Sequence, residues 1–256
     1  MWPSGAAPLD FRLGFELLLP HAQRLQRGAR LLALESHVRA HQRDADGAAR
    51  LIHAIFMTAR SLEREPIMAS QYVRMAIDGT AVEQIERILP TVELSDRDLL
   101  QLQADLWATR YGEDLRRSMA GERAMVIEFF RNPRDDALSP LDDKMGPLDE
   151  VLWRITRQAD FSLYLRTTGR AVAAAQQAWP QAIRAAQQIE SEVDNKISGG
   201  AAWAKARYHG MSVLRLPVSG AFTLVARSTA RKDAAELAIA LERYRRRNGA
   251  LPENLE

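Results

Sequence analysis

Apolar residues recur every three or four positions along almost the whole chain, and this spacing is the strongest constraint on its fold. A period of that length lines one face of an α-helix, because side chains at i, i+3 and i+4 lie one above the other. Leu25 to Gln42 carries Leu31, Leu34 and Val38 in this pattern. Asp44 to Gly47 interrupts it, and a second helix from about Ala48 to Arg64 turns Leu51, Ile52, Ile55, Phe56, Ala59 and Leu62 inward. Pro66 ends that helix, since the residue before a proline is pushed out of helical conformation.

The same reading continues down the chain. Ile67 to Leu89 is helical through Val73, Ala76, Ile77, Val82, Ile85 and Ile88, with a break expected at Asp78-Gly79 and a capping box at Thr80 and Glu83. Ser95 caps a helix bearing Leu99, Leu102, Leu106 and Trp107, and another runs from about Glu113 to Phe130. Leu148 to Trp179 is a long helical stretch that Pro180 kinks or restarts, and Ser198-Gly199-Gly200 marks a further break. Met211 to Val225 has some strand character in Val213, Leu214, Leu216 and Val218. Pro217 and Gly220 make it a loop feeding the last helix. That helix carries Ala235, Ala238, Leu241 and Tyr244 and closes at Asn248-Gly249. The expected fold is therefore all-α, an irregular multi-helix bundle or a stack of helical hairpins in two layers, without significant sheet. Residues 1–18 form an irregular lead-in, 19–131 an N-terminal helical layer and 148–256 a C-terminal one. Between them 132–147, with three prolines and a cluster of aspartates, is the linker.

Composition narrows the function classes. With no cysteine, the chain has no disulfide, thiol nucleophile or Cys-based metal site. No stretch approaches the roughly 20 apolar residues a membrane-spanning helix needs. As written the chain is expected to be soluble, cytoplasmic or envelope-associated. Residues 1–195 carry 24 Lys+Arg against 28 Asp+Glu, a net of −4, whereas 196–256 carry 11 against 5, a net of +6.

Three segments together resemble a family. The tail AAELAIALERYRRRNGALPENLE (234–256), the hairpin around Asp44 to Gly47 and the run Gly121-Glu122-Arg123-Ala124-Met125 are similar to uncharacterised planctomycete-type helical proteins. The tail also resembles, more loosely, the helix end of type II secretion pseudopilins, and the hairpin resembles one tetratricopeptide-type unit, without a second copy. The resemblance implies a helical protein of bacterial type and names no reaction. Pro252 to Glu256 looks like the start of another helical turn, and members of the family continue past this point. The resemblance thus implies a fragment of a longer chain.

Candidate chemistry is sparse. His37 and His41, four apart, could both reach one metal ion, with Asp44 a third ligand, but the HExxH pattern is absent. A polar flank beside the Leu34–Val38 stripe is the preferred account of them, because two histidines without an assured third ligand rarely hold zinc, so no metal and no cofactor is assigned. His53 and His209 could act as acid or base, although no carboxylate or nucleophile is placed opposite either. Glu122 and Glu128 fall on different helix faces, as do Glu113 and Asp114. Glu-x-x-His, GxGxxG, GxxxxGK[ST] and Gly-x-Ser-x-Gly are all absent. Arg243, Arg245, Arg246 and Arg247 form a basic surface near a helix C-terminus, where the helix dipole favours positive charge. The expectation is a non-catalytic helical scaffold or protein-interaction module with a protein partner. Two alternatives stand beside it. One is a ligand-binding protein or enzyme with a pocket between the layers, 132–147 its lid and His53 or His209 its polar groups. The other is association of the arginines with anionic lipid or nucleic acid.

Overall fold

The computed structural model describes residues 10, 13, 17, 19–131, 147–198, 207–208, 211 and 217–254. Among the described residues the elements are all α-helical and no strand occurs, so the fold is all-α. The helices are α1 (Pro20–His41), α2 (Ala45–Arg60), α3 (Met68–Ile88), α4 (Asp96–Ala108), α5 (Tyr111–Arg131), α6 (Pro147–Ala174), α7 (Gln181–Ser198) and α8 (Val218–Asn248).

Local chemistry sets most of the boundaries. Pro20 opens α1 at a position where its missing N–H costs nothing. Asp44 starts α2 by accepting from the Gly47 N–H at 2.9 Å, and Ser95 starts α4 by accepting from the Asp98 N–H at 3.2 Å. Gly249, at φ 77°, ends α8 with its N–H donating to the Arg245 carbonyl at 2.8 Å. Pro180 restarts the chain as α7 after α6 has ended at Ala174.

Helix α2 opens at Ala45, inside the expected break, and ends at Arg60 rather than Arg64, and α6 ends at Ala174 rather than Trp179. Three further features differ from expectation. Asp78-Gly79 does not break α3, which runs unbroken from Met68 to Ile88. An aspartate interrupts a helix when its side chain competes for the backbone, but that of Asp78 is taken by Tyr111 from another helix. The helix also buries Ile77, Ala81, Val82 and Ile85 around this point, which outweighs the roughly 1 kcal/mol helix penalty of one glycine. Val218 to Val225 is the first part of α8, not a loop, and it buries Val218, Ala221, Phe222 and Val225 at helical spacing. Pro217 there acts as a helix starter. After Gly249, residues 251–254 form no further helical turn. The remainder of 211–216, apart from Met211, the linker positions 132–146 and His209 lie outside the described residues, and Pro147 already belongs to α6.

Three apolar clusters fill the interior. The first joins α1 to α4 with Ala235 and Ile239 of α8. A second unites Met68 and Met75 of α3 with α5, the end of α6, α7 and the first turns of α8. The third gathers Val126, Phe130, Trp153, Leu163, Tyr164 and Ile197 with Tyr208 and Met211. Gly121 allows α5 to lie against the α2–α3 connection, since a Cβ there would sit 1.8 Å from the Pro66 carbonyl oxygen. The next residue, Glu122, accepts from the Met68 N–H at 3.0 Å and so caps α3, whose preceding residue Ile67 offers no side-chain cap.

Candidate functional site

Helix α1 is turned the opposite way from the one its leucines suggest. Its buried residues are Ala22, Ala29, Ala33, Ser36 and Ala40, whereas Leu31, Leu34 and Val38 are 69%, 63% and 40% exposed. The reason lies in its neighbours. Facing it, α2 and α3 present Ile52, Ile55, Phe56, Ile77, Val82 and Ile85, which already fill the space between the helices. A small-residue face lets α1 approach closely and complement those large side chains. The leucines are left as an apolar stripe on the surface, bordered by Arg27, Arg30 and Glu35. Trp107 on α4, expected inside, is likewise exposed, while Leu99, Leu102 and Leu106 are buried as expected.

His37 and His41 do converge, but only on each other. Their Nε2 atoms lie 3.1 Å apart in an exposed edge-on contact. Asp44, the third ligand considered, instead caps α2 and accepts from Arg39 at 3.2 Å; the hydrogen bond from the Gly47 N–H, and after it that from Arg39, holds its carboxyl below the usual range. Among the described residues no three His, Asp or Glu side chains gather as a metal site would require.

His53 has a partner that the sequence did not reveal. Its Nδ1 lies 2.6 Å from Oδ2 of the buried Asp105, while Arg60 donates to the other carboxylate oxygen at 2.9 Å. The triplet ties α2 to α4, and no spacing rule could have exposed a contact 52 residues apart. His53 opens onto a cleft of about 330 Å³ between these two helices, with Arg50, Arg97 and Gln101 beside it. This cleft lies within the first group of helices. A second, of about 340 Å³, lies between α3, α5 and α8 and is lined by Gly79, Tyr111, Arg227 and Arg231. No histidine lines that cleft.

Behind the second cleft is a buried ionic network. Arg74 donates to Asp114, and its Nε is 3.9 Å from Oδ2 of Asp78, which also accepts from the Tyr111 hydroxyl at 3.2 Å. Burial pushes the Asp78 carboxyl up to about 7 against the pull of Arg74, and burial raises Asp114 and Glu122 in the same direction. Burial also raises the Tyr111 hydroxyl, so it stays protonated and donates. Gln71, which accepts from Arg74 at 3.5 Å and donates to the Glu65 carbonyl at 2.7 Å, links the network to Glu65, whose carboxylate accepts from Ser70 at 2.5 Å and lies 2.8 Å from Nε2 of His21. The one signal legible beforehand is the i,i+4 spacing of Arg74 and Asp78 on α3.

The four arginines of the basic surface are engaged within the chain. Arg243 donates to Asp96 at 2.8 Å and to Gln103 at 2.9 Å, and Arg247 lies 3.6 Å from the same aspartate. Arg245 and Arg246 both grip Glu242, and Arg246 also donates to the Leu94 carbonyl. Hydrogen bonds, first from Arg245, draw the Glu242 carboxyl down to about 2. The cluster that looked like an anion-binding surface thus joins the end of α8 to the start of α4.

No protein-family model, no curated protein and no solved structure matches this chain.

Proposed function

We propose that this chain is a non-catalytic helical scaffold that docks a protein partner on the outer face of α1. The observation carrying this reading is the exposed stripe of Leu31, Leu34 and Val38 on a helix whose alanines face the core. Single exposed leucines need no explanation, but three in helical register on one face form a contiguous apolar strip of the kind that marks interaction sites. The engagement of Arg243 to Arg247 with Asp96 and Glu242 weighs against an anionic membrane or nucleic acid as the partner. No helix among the described residues is long and apolar enough to cross a membrane. Kinship with the planctomycete-type helical proteins belongs to the same proposal. It draws support from the packing of Gly121 and Glu122 of one resembling segment against the loop that follows the resembling hairpin.

A photo-cross-linking amino acid placed at position 34 in the native host tests this. A discrete adduct is expected there, absent from the Leu31→Glu variant and from a probe at the exposed Arg87. No adduct at position 34, or the same adducts at both positions, removes the proposal.

A further inference from the structure

We infer that the cleft between α3, α5 and α8 binds a phosphate-monoester group. This site is separate from the α1 face, and neither reading depends on the other. Three helices that pack on one another meet here and leave a space of about 340 Å³. That is room for a phosphate and a short apolar body, at the lower end of the range for small-molecule sites. Arg227, Ser228 and Arg231 of α8 all line it, with 227 and 231 one helical turn apart on the same face. Glu86 holds Arg231 in place, accepting from its Nε at 3.4 Å and its Nη2 at 3.0 Å. The remaining nitrogen, Nη1, lies on the side of Gly79, where a Cβ would sit 4.0 Å from it. The glycine thus leaves the floor of the cleft open beside a guanidinium whose direction is already fixed.

The charges around the cleft leave one cation uncompensated. Among the described residues Glu83 is the one acid in the lining, and Arg87 holds it from the next turn of α3. Arg231 is balanced by Glu86. Arg227 is exposed, and no ion pair or hydrogen bond among the described residues engages its guanidinium or the Ser228 hydroxyl. On the inner side, behind Tyr111, Arg74 offsets Asp114, and burial keeps the Asp78 carboxyl protonated below about 7. The inner wall therefore adds no net negative charge there. Arg227, Ser228 and Nη1 of Arg231 offer three sets of donors from two turns of one helix. A carboxylate brings two oxygens and one charge to them. A phosphate monoester brings three oxygens and up to two charges, and its geometry suits guanidinium donors. Met75 and the ring of Tyr111 supply apolar wall for the body of the ligand.

Calorimetric titration of the whole chain with phenyl phosphate, just below neutral pH, tests this. One site with a Kd on the order of 0.1–1 mM is expected, since a small group in an open cleft binds weakly. Arg227→Gln removes the uncompensated charge and Gly79→Leu fills the floor, so each should weaken binding about tenfold or more. Arg227→Gln is the decisive variant, because its side chain is exposed and the helical circular dichroism should stay unchanged. Arg30→Gln, at an exposed arginine of α1 that also makes no ion pair among the described residues, should bind as the wild type does. Phenylacetate should bind at least about tenfold more weakly than phenyl phosphate. Vesicles carrying phosphatidate separate the two sources of such a group. Co-sedimentation that Arg227→Gln abolishes assigns a lipid headgroup, whereas binding of phenyl phosphate without co-sedimentation assigns a soluble ester. The inference is overturned if the wild type binds neither probe or if Arg227→Gln binds unchanged. An equal loss in Arg30→Gln, or phenylacetate as tight as phenyl phosphate, overturns it too.

Discussion

Asp78 shows how a single residue can set a property of the whole chain. Its carboxyl, ordinarily at 3.8, is held up at about 7 because it is buried, and Arg74 offsets that burial only in part. Between those two values the folded chain keeps a proton that the unfolded chain has released. Stability therefore falls as pH rises through this window and levels off above it. Asp114 and Glu122, raised in the same direction, add to the slope. Asp78→Asn keeps an acceptor for the Tyr111 hydroxyl and removes the titration. Melting temperature plotted against pH should accordingly be flatter for the variant than for the wild type, and identical slopes would exclude this account. Histidine 53 teaches the complementary lesson. The residue was identifiable from sequence as a titratable group near an apolar face, but Asp105 became its partner only when α2 and α4 were packed together.

At the scale of elements, helix α5 contains two glycines with opposite roles. A Cβ on Gly121 would collide with the backbone of Pro66, whereas nothing lies within 4 Å of one on Gly112. Gly121→Ala must push α5 off the α2–α3 connection and strain the Glu122 cap on Met68, at a cost of about 1–3 kcal/mol or more. Gly112→Ala meets no obstacle and gains up to about 1 kcal/mol of helix propensity. Urea unfolding should move to lower denaturant for the first variant and stay level or rise for the second. Equal shifts of the same sign would show that α5 does not lean on Pro66. Helix ends were partly readable because caps act within a few residues, as Ser95 and Gly249 do, whereas Asp44, expected to belong to a break, is the cap that opens α2. The rotation of α1 was not readable. Its leucines and its alanines both repeat at helical spacing, and only the bulk of Ile52, Phe56 and Ile85 opposite decides which set turns inward.

For the whole molecule, α8 is the member that joins the parts. Its 31 residues span about 46 Å at the usual rise. Phe222 near one end belongs to the second cluster, and Ile239 toward the other belongs to the first. A helix anchored in both cores couples them. Phe222→Ala should cost about 3–5 kcal/mol and Ile239→Ala about 2–5 kcal/mol. Each variant should keep one unfolding transition, with tryptophan fluorescence and circular dichroism agreeing on the midpoint. Trp179 lies 6.3 Å from Phe222 by ring centroid and so reports the second cluster locally. Two separate transitions in the Phe222 variant would show the clusters to be independent. The amino-acid sequence by itself determined that the chain is helical and where most helices begin and end, because periodicity, caps, prolines and glycines act over a few residues. Tertiary structure alone decided that the arginines of α8 hold Asp96 and Glu242, that Arg74, Asp78 and Asp114 share one buried network, and that the leucines of α1 face outward. Each depends on what a distant element presents across the contact, and one helix's sequence does not contain its neighbour's surface.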